Sequence, residues 1–143
     1  MTAEAWIVIP VAVKQKGGRV GVIFGNYGNG MRGDRDINFE VYSSGQLRLY
    51  WNNGGVQLYG SKDLRDGVNH VVRFERTRSA TKIFVDGQLE KTGSAGSDVP
   101  KRKVGSFIGN DWREGGMAFR GDIVQLKINN ILQIDHGLGT ITI

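Results

Sequence analysis

Apolar residues recur at every second position through most of this chain, and no stretch holds the spacing of an amphipathic helix. Val20, Val22 and Phe24 alternate with Arg19, Gly21 and Ile23. Ile37, Phe39 and Val41 alternate with Asp36, Asn38 and Glu40, and Leu47, Leu49 and Trp51 with Gln46, Arg48 and Tyr50. Successive side chains of a strand point to opposite faces, so one set of each run faces a shared core and the other faces water. Ser43-Ser44-Gly45 and Asn52-Asn53-Gly54-Gly55 separate these runs with residues that accept turn geometry. Val56 and Leu58 make a further short strand. From residue 66, two strands of alternating polarity close on an Asp86-Gly87 turn, with His70, Val72 and Phe74 on one face and Arg73 and Glu75 on the other. The positive φ of a tight two-residue hairpin is what Asp-Gly supplies.

Residues 115–128 change phase: Phe119, Gly121 and Ile123 keep one parity, then Val124, Leu126 and Ile128 the other. A slip beside a strand glycine predicts a β-bulge or a close backbone approach. Asn129-Asn130 predicts another tight turn before Ile131–Ile134, and Thr140–Ile143 reads as a last strand. Residues 5–13 read as a strand rather than a signal segment, because they lack a basic flank and a small-residue cleavage site. About eleven short strands at such spacing predict an all-β fold, an antiparallel β-sandwich of the jelly-roll type, as a single domain over residues 1–143. The 22 glycines fall between apolar runs and so read as turns.

Composition narrows the function classes. With no cysteine, there is no disulfide, thiolate nucleophile or zinc finger. The net charge of +5 favours anionic partners, yet it is spread from Lys14 to Lys101-Arg102-Lys103 rather than gathered in one run. A solvated face accounts for it more simply than a dedicated electrostatic site. No segment approaches the roughly 18 apolar residues of a membrane span, and no signal peptide is expected in this chain.

Asp66-Gly67, His70, Val72, Phe74 and Arg76 are followed by Ile83, Val85 and Asp86-Gly87, then Ile108-Gly109-Asn110 and Phe119-X-Gly121-X-Ile123. In order and spacing this resembles the laminin G-like branch of the concanavalin A-like lectin and glucanase sandwiches, over about residues 4–133. Asn69 departs from the pattern, standing where an aromatic is usual. The resemblance implies a secreted or cell-surface binding module within a larger protein. It also implies a strand ahead of residues 5–13, which this chain lacks. Either Gly139–Ile143 takes that place, or the sheet edge is covered by another chain, as in a homo-oligomer.

The richest loop is residues 25–36, where Asn26, Tyr27, Asn29, Arg32 and Asp34 offer a ring for stacking and planar polar groups for vicinal hydroxyls. Asn110, Asp111, Trp112 and Arg113 join them if the two loops converge. The resemblance places a Ca2+ ligand at Asp36, which needs carbonyls near Asn52–Gly54 and a second side-chain oxygen. The family's second ligand position is here a cation, Lys101, and Asp98 is out of register. Arg-Gly-Asp occurs at 32–34 and 120–122, a weak integrin signal, the second copy lying in a predicted strand. The Gly28-X-Gly30-X-X-Gly33 pattern has no helix after it and is no dinucleotide site.

Glycosidases on this fold use two glutamates on one strand; Glu40, Glu75, Glu90 and Glu114 are scattered, so no enzyme is expected. Arg48, Tyr50, Trp51 and Tyr59 could stack on single-stranded nucleic acid, but no nucleic-acid module is present and none is expected as partner. The expected function is glycan or cell-surface/matrix recognition, anionic ligands included, through loops at one end of the sandwich. The alternative is an assembly module that pairs sheet edges or faces.

Overall fold

The computed structural model describes residues 1–17, 19–25, 37–51, 55–96, 107–109 and 118–135. The described elements are β1 (Thr2–Val8), α1 (Val11–Lys16), β2 (Gly21–Gly25), β3 (Ile37–Val41), β4 (Leu47–Trp51), β5 (Val56–Tyr59), β6 (Asn69–Arg76), β7 (Thr81–Val85), β8 (Gln88–Gly93), β9 (Phe107–Ile108), β10 (Asp122–Ile128) and β11 (Ile131–Asp135). They form two antiparallel sheets, in the orders β11-β10-β1-β6-β7-β8 and β5-β4-β3-β2-β9. The fold is the all-β sandwich that the alternation predicts.

One face of each sheet meets the other across a single apolar layer. Ala3, Ala5, Val72, Phe74, Ile83 and Leu126 come from one sheet and Phe39, Leu47, Leu49, Trp51 and Leu58 from the other. Phe74 joins the layers through edge-on contacts, 5.1 Å between centroids to Phe39 and 6.2 Å to Trp51. Such contacts add specificity to burial.

Turn chemistry follows the residues. Asp86 and Gly87 have φ of 51° and 80°, and Asn129 and Asn130 of 49° and 64°, so both two-residue connections adopt the mirror-image turn that matches strand twist. The phase slip at residues 123–124 is a bulge: Trp6 pairs with Gln125 while Ile7 pairs with Ile123. Gly121 marks a close approach as well, since a Cβ there would lie 2.5 Å from the Val8 carbonyl oxygen.

Three expectations need correction. Residues 5–13 are not one strand: β1 ends at Val8, and Pro10, with no N–H for the ladder, precedes the short helix α1. In β2 a register shift between Val22 and Phe24 turns Ile23 into the core instead of toward water. In β3 the face expected to be wet is buried, with Asn38 at 2% and Glu40 at 0% exposure. Glu40 lies there because Arg48 neutralises it. Asp36, Gly139–Ile143 and the 32–34 Arg-Gly-Asp lie outside the described residues.

Candidate functional site

The sites expected on the loops, Asn26, Tyr27, Asn29, Arg32, Asp34, Asp36, Asn110, Asp111, Trp112 and Arg113, all lie outside the described residues. The same holds for Asn52–Gly54, Asp98 and Lys101, so the calcium set suggested by the resemblance has no described member. Among the described residues no group of three or more His, Cys, Asp or Glu side chains is arranged to hold a metal.

A different constellation is in place on the outer face of the five-stranded sheet. The antiparallel register sets Val22, Glu40, Arg48 and Tyr59 side by side in one row, and Asn38, Tyr50 and Gln57 in a neighbouring row. Gly25 lies beside Asn38, and any Cβ there would collide with the Asn38 amide oxygen at 1.9 Å. Alternation turns Leu47, Leu49, Trp51, Val56 and Leu58 inward, which leaves Arg48, Tyr50, Gln57 and Tyr59 outward. Trp51, grouped with them in the sequence as a stacking residue, belongs to the core at 1% exposure.

Arg48 is the hub. Its guanidinium hydrogen-bonds Glu40 and lies 5.0, 5.1 and 5.6 Å from the ring centroids of Tyr42, Tyr50 and Tyr59. Cation–π contacts of this kind contribute about 0.5–2 kcal/mol each, more as water is excluded. Arg19 approaches Tyr42 at 5.2 Å, and Tyr42 meets Tyr59 edge-on at 5.9 Å. Burial alone would pull the Arg48 pKa down, but the bond to Glu40 and its negative charge hold it above the ordinary value. The pair is not closed on itself: Glu40 Oε2 and Arg48 Nε are buried with no partner among the described residues. Tyr59, by contrast, is 38% exposed. Toward solvent the face therefore offers the Tyr59 ring and the Gln57 amide, with the Arg48 guanidinium largely buried beside them.

A second polar cluster stands at the end of β6. His70, 3% exposed, has Nδ1 2.7 Å from Asp86 Oδ2 and Nε2 2.9 Å from Asp66 Oδ2. Asp86 also accepts the Val71 N–H at 2.8 Å and pairs with Lys62 at 3.6 Å. With a carboxylate on each ring nitrogen, the imidazole has no nitrogen left to activate a hydroxyl, so the cluster is a brace and not a catalytic triad. It gives Asp66, His70 and Asp86 one shared structural role.

Burial works against the charge of Asp66 and Asp86. The His70 bond and the N–H groups of Val68 and Val71 outweigh it and hold both carboxyls below their ordinary pKa. A bond from Arg65 does the same, more strongly, for Asp63. Carboxyls depressed in the folded state stabilise it above their unfolded pKa of about 3.9, and that contribution is lost as pH falls toward the folded values. The melting temperature is therefore expected to drop on acidification from about pH 5 to about pH 2. A His70→Asn variant is expected to show a shallower slope in differential scanning calorimetry; an unchanged slope would remove the brace from this account.

A laminin G family model, described as the concanavalin A-like lectin/glucanases superfamily, matches residues 1–132, and the chain belongs to that family. No curated protein sequence matches it significantly. Among solved structures it is similar to domains LG4-5 of the mouse laminin alpha1 chain, at 14% identity and a TM-score of 0.69, covering 92% of this chain and 36% of that one. It is similar to the CBM40 of a Ruminococcus gnavus IT-sialidase, at 16% identity and 0.64, covering 88% and 73%; this module has also been solved bound to sialyllactose. A third likeness is to domain 4 of AbnA, an extracellular arabinanase from Geobacillus stearothermophilus in complex with arabinotriose, at 16% identity and 0.64, covering 87% and 57%. At these identities the likeness is one of fold. The chain spans about a third of the laminin chain and over half of the arabinanase domain.

Proposed function

We propose that this chain is a non-catalytic carbohydrate-recognition module that acts outside the cell or at its surface. The observation that carries this reading is the Arg48 cluster: a guanidinium fixed by a buried carboxylate, set among three tyrosine rings on a sheet face that is exposed at Gln57 and Tyr59. Sugar recognition uses these parts, rings for the apolar face of a pyranose and planar polar groups for its hydroxyls. The loop residues Tyr27, Asp34, Asn110 and Trp112 belong to the same proposal as contacts at the end of the sandwich, with Asp36 as the place to look for calcium. That structurally similar modules have been solved with sialyllactose and arabinotriose supports the substrate class.

Chemistry argues against hydrolysis. Glu40 is the sole acidic residue in β2 to β5, and a glycosidase needs two carboxyls flanking the bond. Glu40 is moreover committed to Arg48.

The second reading, assembly through sheet edges, draws on β11, an outer strand with Ile131 65% and Leu132 45% exposed. A glycan array and light scattering on one sample separate the two. Saccharide binding by a monomer is expected; a defined oligomer silent on every glycan would overturn the recognition reading.

A further inference from the structure

We infer that the saccharide taken by the Arg48 face is a neutral one, laid over Tyr50, Gln57 and Tyr59, and that Glu40 sets this class. The inference rests on the carbohydrate reading above and deepens it.

The chain's positive charge points toward an acidic glycan, but the face does not present that charge. Strands β2 to β5 carry one cation, Arg48, and one anion, Glu40, and the two are hydrogen-bonded to each other. A carboxylated or sulfated sugar reaching for the guanidinium must compete with a carboxylate already in place. It also brings a like charge toward a group that is fully buried, where repulsion is weakly screened. Hydroxyls meet no such barrier. Each both donates and accepts without bringing a charge, and Glu40 Oε2 and Arg48 Nε, both buried, lie beneath the face rather than on it. Outward on β5, Tyr59 and the exposed Gln57 add a ring and an amide, with their side chains 3.5 Å apart, at the limit of a hydrogen bond. Glu40 is thus a positioning residue: it orients Arg48 and cancels its charge. Arg19 is the other cation at the cluster, placed against Tyr42; a class set by Arg19 would be acidic, and the test discriminates it.

The experiment is calorimetric titration of the whole chain with neutral oligosaccharides (arabinose, glucose and galactose series) and with sialylated, uronic and sulfated ones, at low and high salt. Neutral saccharides are expected to bind with an affinity indifferent to salt. Tyr59→Ala and Gln57→Ala, both at exposed positions, are expected to keep the fold and weaken binding by about tenfold or more. Glu40→Gln keeps the shape and removes the charge; it is expected to admit acidic saccharides that the unaltered chain rejects, with salt-sensitive affinity. Should Glu40→Gln lose its cooperative melting transition, the two exposed variants and the salt series still decide. Preference of the unaltered chain for acidic saccharides, weakened by salt, would overturn the neutral class and leave carbohydrate recognition standing. Neutral binding unaffected by Tyr59→Ala and Gln57→Ala would place the ligand elsewhere and overturn the inference. A folded chain that takes no saccharide from either set would overturn the reading beneath it.

Discussion

Replacing Phe74 by Ala is expected to lower the unfolding free energy by about 3–5 kcal/mol, the cost typical of deleting a buried aromatic ring. Phe74 is fully buried on β6, a central strand, and is the contact through which one sheet grips both Phe39 and Trp51 of the other. Its neighbour across the β1 ladder is Ala3, whose small side chain leaves room for the ring; on the other side it pairs with Ile83. Removal leaves a void between two hydrogen-bonded layers that cannot collapse without bending both, so little of the loss is recovered. Phe74→Leu, which keeps most of the volume, is expected to cost less than half as much. Urea denaturation followed by tryptophan fluorescence measures both variants. A Phe74→Ala midpoint within error of the parent would mean that the layers do not lock at this ring.

Much of this arrangement is legible in the residues. Parity assigns Leu47, Leu49, Trp51, Val72 and Phe74 to the core, and the structure buries all of them. Asp86-Gly87 and Asn129-Asn130 are turns because their side chains tolerate positive φ. Parity fails where the ladder itself slips, as in β2, where one extra residue sends Ile23 inward. Helix α1 is too short to register as periodicity; its one signal is Pro10 just ahead of it.

The Arg48 face was within reach of the sequence. Pairing β3 with β4 about Ser44 brings residue 40 opposite 48, and pairing β4 with β5 brings 48 opposite 59. Glu40, Arg48 and Tyr59 are therefore neighbours as soon as both hairpins are drawn. What hid them is the assumption that an outward parity means water. A carboxylate at that parity is expected to be solvated, and only its cross-strand partner reveals that it is buried and paired. The loops richest in polar residues stand out by composition, whereas register assembles the sheet face from residues far apart in the chain.

Arg48→Ala is expected to destabilise the fold by about 3 kcal/mol or more, because it strands a carboxylate that is 0% exposed. The same substitution removes the guanidinium from three tyrosine rings, so packing is lost along with charge. Its companion, the double variant Glu40→Leu with Arg48→Met, is expected to recover most of that loss. Two apolar side chains of similar reach avoid the desolvation that the ions incur, and such exchanges are often neutral or stabilising. Thermal or urea denaturation of the parent, Glu40→Leu, Arg48→Met and the double variant closes a cycle that isolates the coupling. Recovery of stability together with loss of saccharide binding would mean that the ion pair is kept for recognition rather than for folding. A double variant as unstable as Arg48→Ala would instead make the pair a net contributor to the stability of the sandwich.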